Sequence, residues 1–156
     1  MVKCRIKILA VGKLKDAACI QLCEKYQKRL RRSASIEVVP IRPSPLPQDP
    51  SPKERQALAK AEWSQMQKHL DGFVVALDEK GEEWDSVQFS KLFTQHNRIT
   101  FIIGGAMGLS ADCRAAADLT LAFSKMTFPH PLFQAILHEQ IYRGILIAED
   151  HPYHNQ

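Results

Sequence analysis

Three glycines that follow an apolar run have the spacing best suited to binding a small molecule. Residues 99–103 are all β-branched or aromatic, which predicts a short strand. Gly104, Gly105 and Gly108 follow it, and Ser110 is a suitable N-cap for the next helix. Glycines let the backbone bend sharply or approach a ligand, but they also fit a plain strand-to-helix turn. Their spacing differs from the dinucleotide-binding pattern G-x-G-x-x-G, so both interpretations stay open.

A histidine between two prolines is the second feature that could do chemistry. Pro129 and Pro131 fix their own φ angles and keep the residue before each out of the helical region, so His130 lies at a stiff corner. Pro131 suits the first position of a helix that runs to about residue 147. The free N–H groups at the start of such a helix attract a carboxylate or a phosphate. His130 is therefore either part of an anion site or a loop histidine whose hydrogen bonds are satisfied locally.

The elements that position these residues alternate between strand-like apolar runs and helix-like amphipathic segments. The predicted strands cover 5–11, 36–41, 73–77, 99–103 and 119–123, and the predicted helices cover 16–30, 52–71, 86–95, 111–117 and 131–147. A polar turn is predicted over 78–84, and the five prolines of 43–52 predict an exposed, semi-extended loop. The alternation predicts an α/β fold in which a parallel β-sheet carries helices on both faces.

The predicted sheet also gives a place for a ligand pocket. Open parallel sheets bind ligands beyond the carboxyl ends of their strands. Three loops lie at those ends, namely the loop after Leu77, the turn at Gly104 and Gly105, and the segment 123–128. Backbone groups of the last segment can pair with the edge of a ligand ring while apolar side chains cover its face. We therefore expect these loops to form one pocket.

The length and composition of the chain fit one compact domain. A chain of 156 residues with 45% hydrophobic residues can bury a substantial core. The apolar run 8–11 is too short for a signal peptide and no stretch is long enough to span a bilayer, so a cytoplasmic protein is expected. Cys4, Cys19, Cys23 and Cys113 lack zinc-ligand spacing, which predicts reduced packing thiols and no metal site.

Basic charge is concentrated at the amino end of the chain. Residues 1–32 hold ten basic and two acidic side chains, whereas the remainder holds eleven basic and fifteen acidic ones. This asymmetry favours a polyanionic partner, because each neutralised phosphate releases counterions. A solvated helix face would carry the same pattern. The residues that would form an RNA-binding face are Lys25, Lys28, Arg29, Arg31 and Arg32.

Four motifs in one order resemble a known family. They are IIGGAMGLS, LAFSKMTFPHPL, EQIYR and the terminal HPYH, and the opening IKILAVGKLK extends the match weakly. The chain resembles the RlmH-type family of SPOUT methyltransferases, strongly over 72–156 and more loosely before it. The resemblance implies a single domain over 1–156 whose C-terminal part, about 72–156, forms a trefoil knot. It also implies a homodimer that methylates N3 of a pseudouridine in the 23S RNA of the large ribosomal subunit.

The resemblance further implies where the methyl donor, S-adenosylmethionine, binds. It carries this role onto Leu77, Gly104 and the run 123–128, which consists of Phe123, Ser124, Lys125, Met126, Thr127 and Phe128. These residues lie in the same three loops that are expected at the carboxyl ends of the strands.

Methylation at N3 of a pseudouridine also implies a catalytic group. That nitrogen is nucleophilic chiefly after its proton has left, so a base or a cation that stabilises the deprotonated ring is required. The candidates are His130, Arg143, Tyr153 and His154. Arg143 also suits an ion pair with Glu139 four residues earlier, and the tail also fits a frayed terminus.

One position departs from the expected family pattern. Gln134 stands just after the proline corner, where a basic residue is expected, which leaves one RNA or cofactor contact unassigned. Two other functions stay open, namely a SPOUT enzyme that acts on transfer RNA and a non-catalytic ribosome-binding factor with the same fold. The terminal HPYH and the lack of an appended RNA-binding domain count against the transfer RNA enzyme.

Overall fold

The structure is a computed structural model that describes residues 2–155, and within them one five-stranded sheet has only parallel strand pairs. Its spatial order is β2-β1-β4-β3-β5. The strands are β1 (Cys4–Val11), β2 (Ala34–Ile41), β3 (Phe73–Glu83), β4 (Arg98–Ile103) and β5 (Leu119–Ala122). The helices are α1 (Ala17–Leu30), α2 (Pro52–Met66), α3 (Ser86–Gln95), α4 (Ala111–Ala116) and α5 (His130–Ala148), and short 3₁₀ helices cover Gln67–His69 and Pro152–Asn155. The predicted α/β fold is confirmed.

Helices cover both faces of the sheet, as the alternation predicts. Ile6 of β1 and Phe101 of β4 belong to a core cluster that also contains side chains of α1, α3 and α5. Leu9 and Ile102, which are out of phase with them, belong to a second cluster with Trp63 of α2 and a cysteine of α4. Successive side chains of a strand point to opposite faces, so each continuous apolar run contributes to both layers.

Capping residues begin two of the helices where the sequence predicts. Ser51 accepts a hydrogen bond from the Glu54 N–H at 3.1 Å, and the Glu54 carboxylate accepts one from the Ser51 N–H at 3.3 Å. Pro52 occupies the first turn of α2. Ser110 likewise accepts from the Cys113 N–H at 3.1 Å at the start of α4. Each cap satisfies an N–H that has no partner within its helix and contributes about 1 kcal/mol.

One predicted turn is wrong. Residues 78–84 are polar, yet β3 continues as far as Glu83 and, after a break in register, pairs again with β5. The two strands approach closely here, since a Cβ atom at Gly81 would lie 2.6 Å from the backbone of Thr120. An exposed strand extension needs only backbone hydrogen bonds, so its polar side chains do not prevent pairing.

Several other boundaries differ from the predicted ones. Strands β2 and β4 begin earlier than predicted, at Ala34 and Arg98, and β5 ends earlier, at Ala122. Helix α2 ends at Met66 and is followed by a 3₁₀ turn, and α5 begins one residue earlier than predicted, at His130. Residues 42–51 contain neither helix nor strand, as the prolines predict. The trefoil knot and the extent of the knotted segment stay predictions.

The four cysteines are buried and free. Burial raises the pKa of Cys4 and of Cys23 to about 11, and that of Cys113 to about 12. These thiols therefore stay protonated at neutral pH and act as small packing groups.

Among the described residues, no helix combines the length and the apolar composition that a bilayer crossing requires.

Candidate functional site

A cavity of about 420 Å³ opens at the carboxyl side of the sheet. Its walls come from the point where β3 loses register after Leu77, from the glycine turn that follows β4, and from the loop 123–128 that follows β5. The first turn of α5 contributes His130. Ligand sites of open parallel sheets lie at this edge, so the cavity is where the predicted sheet places a pocket.

Seven of the eight predicted cofactor-binding residues line this cavity: Leu77, Gly104, Phe123, Ser124, Met126, Thr127 and Phe128. Lys125 is the exception. Its side chain is 88% exposed, and its ammonium lies 3.8 Å from the Glu83 carboxylate at the surface. The structure thus brings three distant segments together, while their binding of a cofactor stays a prediction.

The glycine turn folds back on itself at the rim of the cavity. The Gly108 N–H donates to the Gly105 carbonyl at 3.0 Å, and Gly108 has a φ of +73°. A Cβ atom at Gly104 would lie 2.9 Å from the carbonyl carbon of Gly108 and 3.0 Å from a methyl of Leu109. A side chain at position 104 would therefore disturb the turn itself before it reached a ligand.

A buried carboxyl lies beneath this turn and was missed by the sequence analysis. Glu62 of α2 is 5% exposed, and its carboxylate would meet a Cβ atom at Gly105 at 3.1 Å. Burial raises the pKa of Glu62, opposed by a hydrogen bond from the Ser44 backbone. The sequence did contain a signal for this burial, because Glu62 lies four residues from both Leu58 and Met66 and therefore on the predicted inner side of the helix.

A charged pair at the cavity was missed as well. Nη1 of Arg114 donates to the Leu109 carbonyl at 2.6 Å and lies 3.4 Å from the Asp78 carboxylate. Both charged side chains line the cavity. Asp78 directly follows the predicted end of β3, which is the usual place for a ligand-facing residue in a parallel sheet. The pair anchors α4 against β3 and leaves a carboxylate in the cavity wall.

The remaining predicted catalytic residues form a cluster around Glu139. Nη2 and Nε of Arg143 donate to one Glu139 oxygen at 2.7 and 3.0 Å, which is the predicted ion pair. The Tyr153 hydroxyl donates to the same oxygen at 3.3 Å, and Nη1 of Arg143 lies 3.5 Å from Nδ1 of His154. The hydrogen bond to Glu139 raises the pKa of Arg143, while burial and the Glu139 charge raise the pKa of Tyr153. Arg143 therefore stays cationic and Tyr153 stays protonated near neutral pH.

A second cavity, of about 510 Å³, connects this cluster with the first cavity. Gln140 and His154 line one part of it, and Trp84 lines another. Phe123 and Phe128 line both cavities. The predicted cofactor loop and the C-terminal tail therefore meet at one aromatic wall, and the tail packs against α5 in an ordered 3₁₀ turn.

Two buried polar residues of α5 lie outside both cavities. Gln134, at the position where a basic residue is expected, is 4% exposed, and its Oε1 has no hydrogen-bond partner among the described residues. Nδ1–H of His138 donates to the Gln134 carbonyl at 2.7 Å, and the Gln27 amide donates to Nε2 at 2.9 Å. Burial lowers the pKa of His138, which is neutral in this arrangement. Both residues serve the packing of α5 on α1.

The basic residues predicted to form one RNA-binding face are divided between two surfaces. Lys25 and Arg29 stand over tyrosine rings, with cation-to-centroid distances of 5.7 and 5.8 Å. Arg31 and Arg32 instead line a separate groove at the amino ends of the strands. RNA binding by these residues stays a prediction.

Comparisons with known proteins add independent information. A family model described as Predicted SPOUT methyltransferase matches residues 4–154. A protein of Clostridium kluyveri named ribosomal RNA large subunit methyltransferase H is 40% identical over 156 residues, which cover 96% of this chain and 98% of that protein. A Clostridium tetani protein of the same name is 38% identical with the same coverage.

A solved structure agrees at the level of the fold. The probable methylase family protein from Haemophilus influenzae Rd KW20 matches with a TM-score of 0.56 and 10% sequence identity, over 94% of this chain and 69% of that one. The family model covers nearly the whole chain, and the Clostridium relatives match it from end to end. The protein therefore belongs to the SPOUT methyltransferase family, and within it to the group of ribosomal RNA large subunit methyltransferase H proteins.

Proposed function

We propose that the protein transfers a methyl group from S-adenosylmethionine to N3 of a pseudouridine in the 23S RNA of the large ribosomal subunit. The observation that carries the proposal is the convergence of Leu77, Gly104 and Met126 on one cavity. The names of the Clostridium relatives support the choice of large-subunit RNA. The sequence resemblance supplies the pseudouridine and its N3 position, and a ribosomal substrate places the reaction in the cytoplasm.

The cavity fits S-adenosylmethionine in size and in chemistry. Its volume of about 420 Å³ falls within the range of about 300–1,000 Å³ for ligand pockets. Leu77 and Phe123 offer apolar surface to the adenine ring, and Asp78 offers a carboxylate. The Met126 N–H donates to the Ser124 hydroxyl at 3.0 Å, and the other backbone groups of 124–128 make no hydrogen bond within residues 2–155, so they are available to the adenine edge. When bound, the cofactor supplies a methyl group already activated on a sulfonium.

The protein's own tasks are alignment and the removal of one proton. We assign proton acceptance from N3 to His130, because it lines the cavity and is held at the rigid start of α5. The Arg143 guanidinium is cationic and the Tyr153 hydroxyl keeps its proton, so both have donors for negative charge on the ring. Substitution of His130 by Gln is expected to lower kcat while leaving cofactor affinity unchanged.

The proposal includes a homodimer whose interface carries the active site and the C-terminal tail. Leu22 of α1 and Leu132 of α5 are 38% and 43% exposed, and they offer apolar surface on two helices that pack together. Sedimentation should show a dimer for the native protein and a monomer for Leu22→Asp combined with Leu132→Asp. A native protein that stays monomeric at assay concentrations would contradict this part of the proposal.

A methylation assay tests the substrate. Purified protein and labelled S-adenosylmethionine are incubated with assembled ribosomes, free large subunits and transfer RNA, and the label is located by nuclease digestion and mass spectrometry. We expect label on a pseudouridine of the large-subunit RNA. Label on transfer RNA would favour the other SPOUT activity, and ribosome binding without label would favour a non-catalytic factor.

A matched pair of substitutions tests the cofactor pocket. Thr127 and Lys125 are both exposed residues of one loop, but only Thr127 lines the cavity. Thr127→Trp should weaken cofactor binding by more than about tenfold in calorimetry, which is about 1.4 kcal/mol, whereas Lys125→Trp should leave it unchanged. Cofactor at about 100 times the native Kd should also raise the unfolding free energy by about 2.7 kcal/mol in the Lys125 variant, but by no more than about 1.4 kcal/mol in the Thr127 variant. Equal affinities in the two variants would place the cofactor elsewhere.

A further inference from the structure

A second concave surface lies at the opposite edge of the sheet, where β1, β2 and β4 begin and α1 ends. This amino-edge groove has a volume of about 640 Å³. Five of the residues that line it are basic and exposed, and its described lining contains no acidic residue; the basic residues are Lys3, Arg5, Arg31, Arg32 and Arg98. The described lining of the groove is therefore strongly cationic.

Most of these cations lack a counter-charge. Nη1 of Arg98 lies 3.2 Å from the Asp71 carboxylate. Within residues 2–155, the other four basic side chains of the groove have no acidic partner within 4.0 Å. Like charges that share a groove repel one another, so an anion that enters it is stabilised.

Local structure accounts for only part of this charge. The carbonyl end of α1 attracts cations, which explains basic residues around position 31 without any ligand. Lys3, Arg5 and Arg98 lie instead at the beginnings of strands, whose net dipoles are small. Asp71 pairs with Arg98, but among the described residues Lys3 and Arg5 have no counter-charge.

We infer that the amino-edge groove binds phosphates of the RNA backbone, away from the nucleotide that is methylated. The inference rests on the proposed function for the identity of the RNA. Guanidinium groups pair with phosphates through two parallel hydrogen bonds, and Ser35 and Asn97 add the neutral donors that are common in backbone contacts. The groove offers no aromatic ring on which a base could stack, so we assign its contacts to the phosphates, which fix the position of the RNA.

The distance between the groove and the cavity defines the kind of RNA that can use both. They lie at opposite ends of the same strands, and β4 alone covers six residues, or about 20 Å at about 3.3 Å per residue. An RNA that contacts both surfaces must therefore extend about 20 Å or more around the protein. A folded large RNA meets this requirement, whereas a dinucleotide that carries the target base does not.

Binding measurements with matched charge variants test the inference. Arg31→Gln with Arg32→Gln, and separately Lys3→Gln with Arg5→Gln, remove charge from the groove. Lys53→Gln with Lys60→Gln removes the same charge from α2 on the other face of the sheet and serves as the control. Affinity for purified large-subunit RNA is measured between 50 and 200 mM salt with all three variants and the native protein.

Each groove variant should bind the RNA at least about tenfold more weakly than the control and lower the salt slope by about one to two. In methyl transfer, KM for the large-subunit substrate should rise while kcat and cofactor affinity stay unchanged. A dinucleotide that carries the target base should bind all variants equally. Affinities and slopes equal to those of the control would overturn the inference.

Two further arms separate this inference from other outcomes. Loss of binding to anionic phospholipid vesicles in the groove variants, with RNA binding intact, would assign the surface to a membrane and overturn the inference. If the native protein methylates the large subunit and the groove variants do so with the same KM and RNA affinity, the inference about the groove is refuted and the proposed function stands. If the native protein transfers no methyl group but the groove variants bind the RNA more weakly than it does, the proposed function is refuted and the inference about the groove stands.

Discussion

The C-terminal tail is expected to act in methyl transfer and not in cofactor binding, and Tyr153 is the residue that tests this. Its ring packs edge-on against Tyr142, with centroids 4.9 Å apart, and lies 5.0 Å from the guanidinium carbon of Arg143. Its hydroxyl donates to Glu139 at 3.3 Å. Substitution of Tyr153 by Ala removes all three contacts, whereas Tyr153→Phe removes only the hydrogen bond.

The contacts set the expected loss of stability. An edge-on aromatic pair contributes about 0.5–1.5 kcal/mol and an exposed cation–π contact about 0.5–1 kcal/mol. A long, partly exposed hydrogen bond adds about 0.5–1 kcal/mol. We therefore expect Tyr153→Ala to lower the unfolding free energy by about 2 kcal/mol and Tyr153→Phe by about 0.5–1 kcal/mol. In a chain of 156 residues, these losses lower Tm by about 4–8 °C in Tyr153→Ala and by about 1–4 °C in Tyr153→Phe.

Three measurements at 25 °C, where both variants stay folded, separate stability from function. Thermal unfolding checks the losses above, calorimetry gives cofactor affinity, and label transfer to the large subunit gives activity. We expect Tyr153→Ala to keep cofactor affinity within about twofold and to lose at least about tenfold in methyl transfer, which is about 1.4 kcal/mol of barrier. Tyr153→Phe should keep most of the activity, because the ring holds the tail in place. Full transfer by Tyr153→Ala would remove the tail from the mechanism, and a parallel loss of cofactor affinity would move it into the cofactor pocket.

Three further predictions concern buried groups. Gly144→Val should lower the unfolding free energy by about 1–3 kcal/mol in urea titrations, because even a Cβ atom there would lie 2.6 Å from the Phe93 ring. Burial raises the pKa of Glu62, so the contribution of this side chain to stability falls as pH rises through that pKa. Glu62→Gln should therefore raise Tm at pH 7 and reduce the decline in Tm between acid and neutral pH. A Tm difference between variant and native protein that is the same at every pH would contradict this prediction. Cys113, with a pKa of about 12, should react with a thiol reagent at pH 8 only after unfolding, as followed by absorbance.

The periodicity of apolar residues was sufficient to predict the strands, the helices and the two-layered core. Runs such as 99–103 have one physical solution in a chain of this size, because side chains on both faces of the strand need burial. The extension of β3 through 78–83 could not be predicted, since its polar residues are held by backbone pairing with β5. Pairing of that kind depends on which strand lies alongside, and composition carries no information about it.

The candidate site was predictable where a residue's position along its strand determines its role. Leu77 lies where β3 loses register and Gly104 directly follows β4, and these positions direct both residues to the cavity. The Lys125 side chain points away from the cavity and pairs with Glu83, which belongs to the part of β3 that the sequence did not predict. Glu62 was missed because a charged residue in an exposed-looking helix is ordinarily on the solvent side, although its spacing from neighbouring apolar residues placed it inside.

Strand order is the physical reason that three distant loops form one cavity. The sheet places β3 between β4 and β5, so the loops after Leu77, Gly104 and Phe123 leave three adjacent strands about 4.8 Å apart. If β5 instead paired beside β2, the loops after β3 and β5 would be separated by four strand spacings, or about 19 Å, which is too wide for one small ligand. The same residues in the same elements would then form no pocket. Periodicity identifies the strands but leaves their order open, and the sequence resemblance predicts only that the three loops share one ligand.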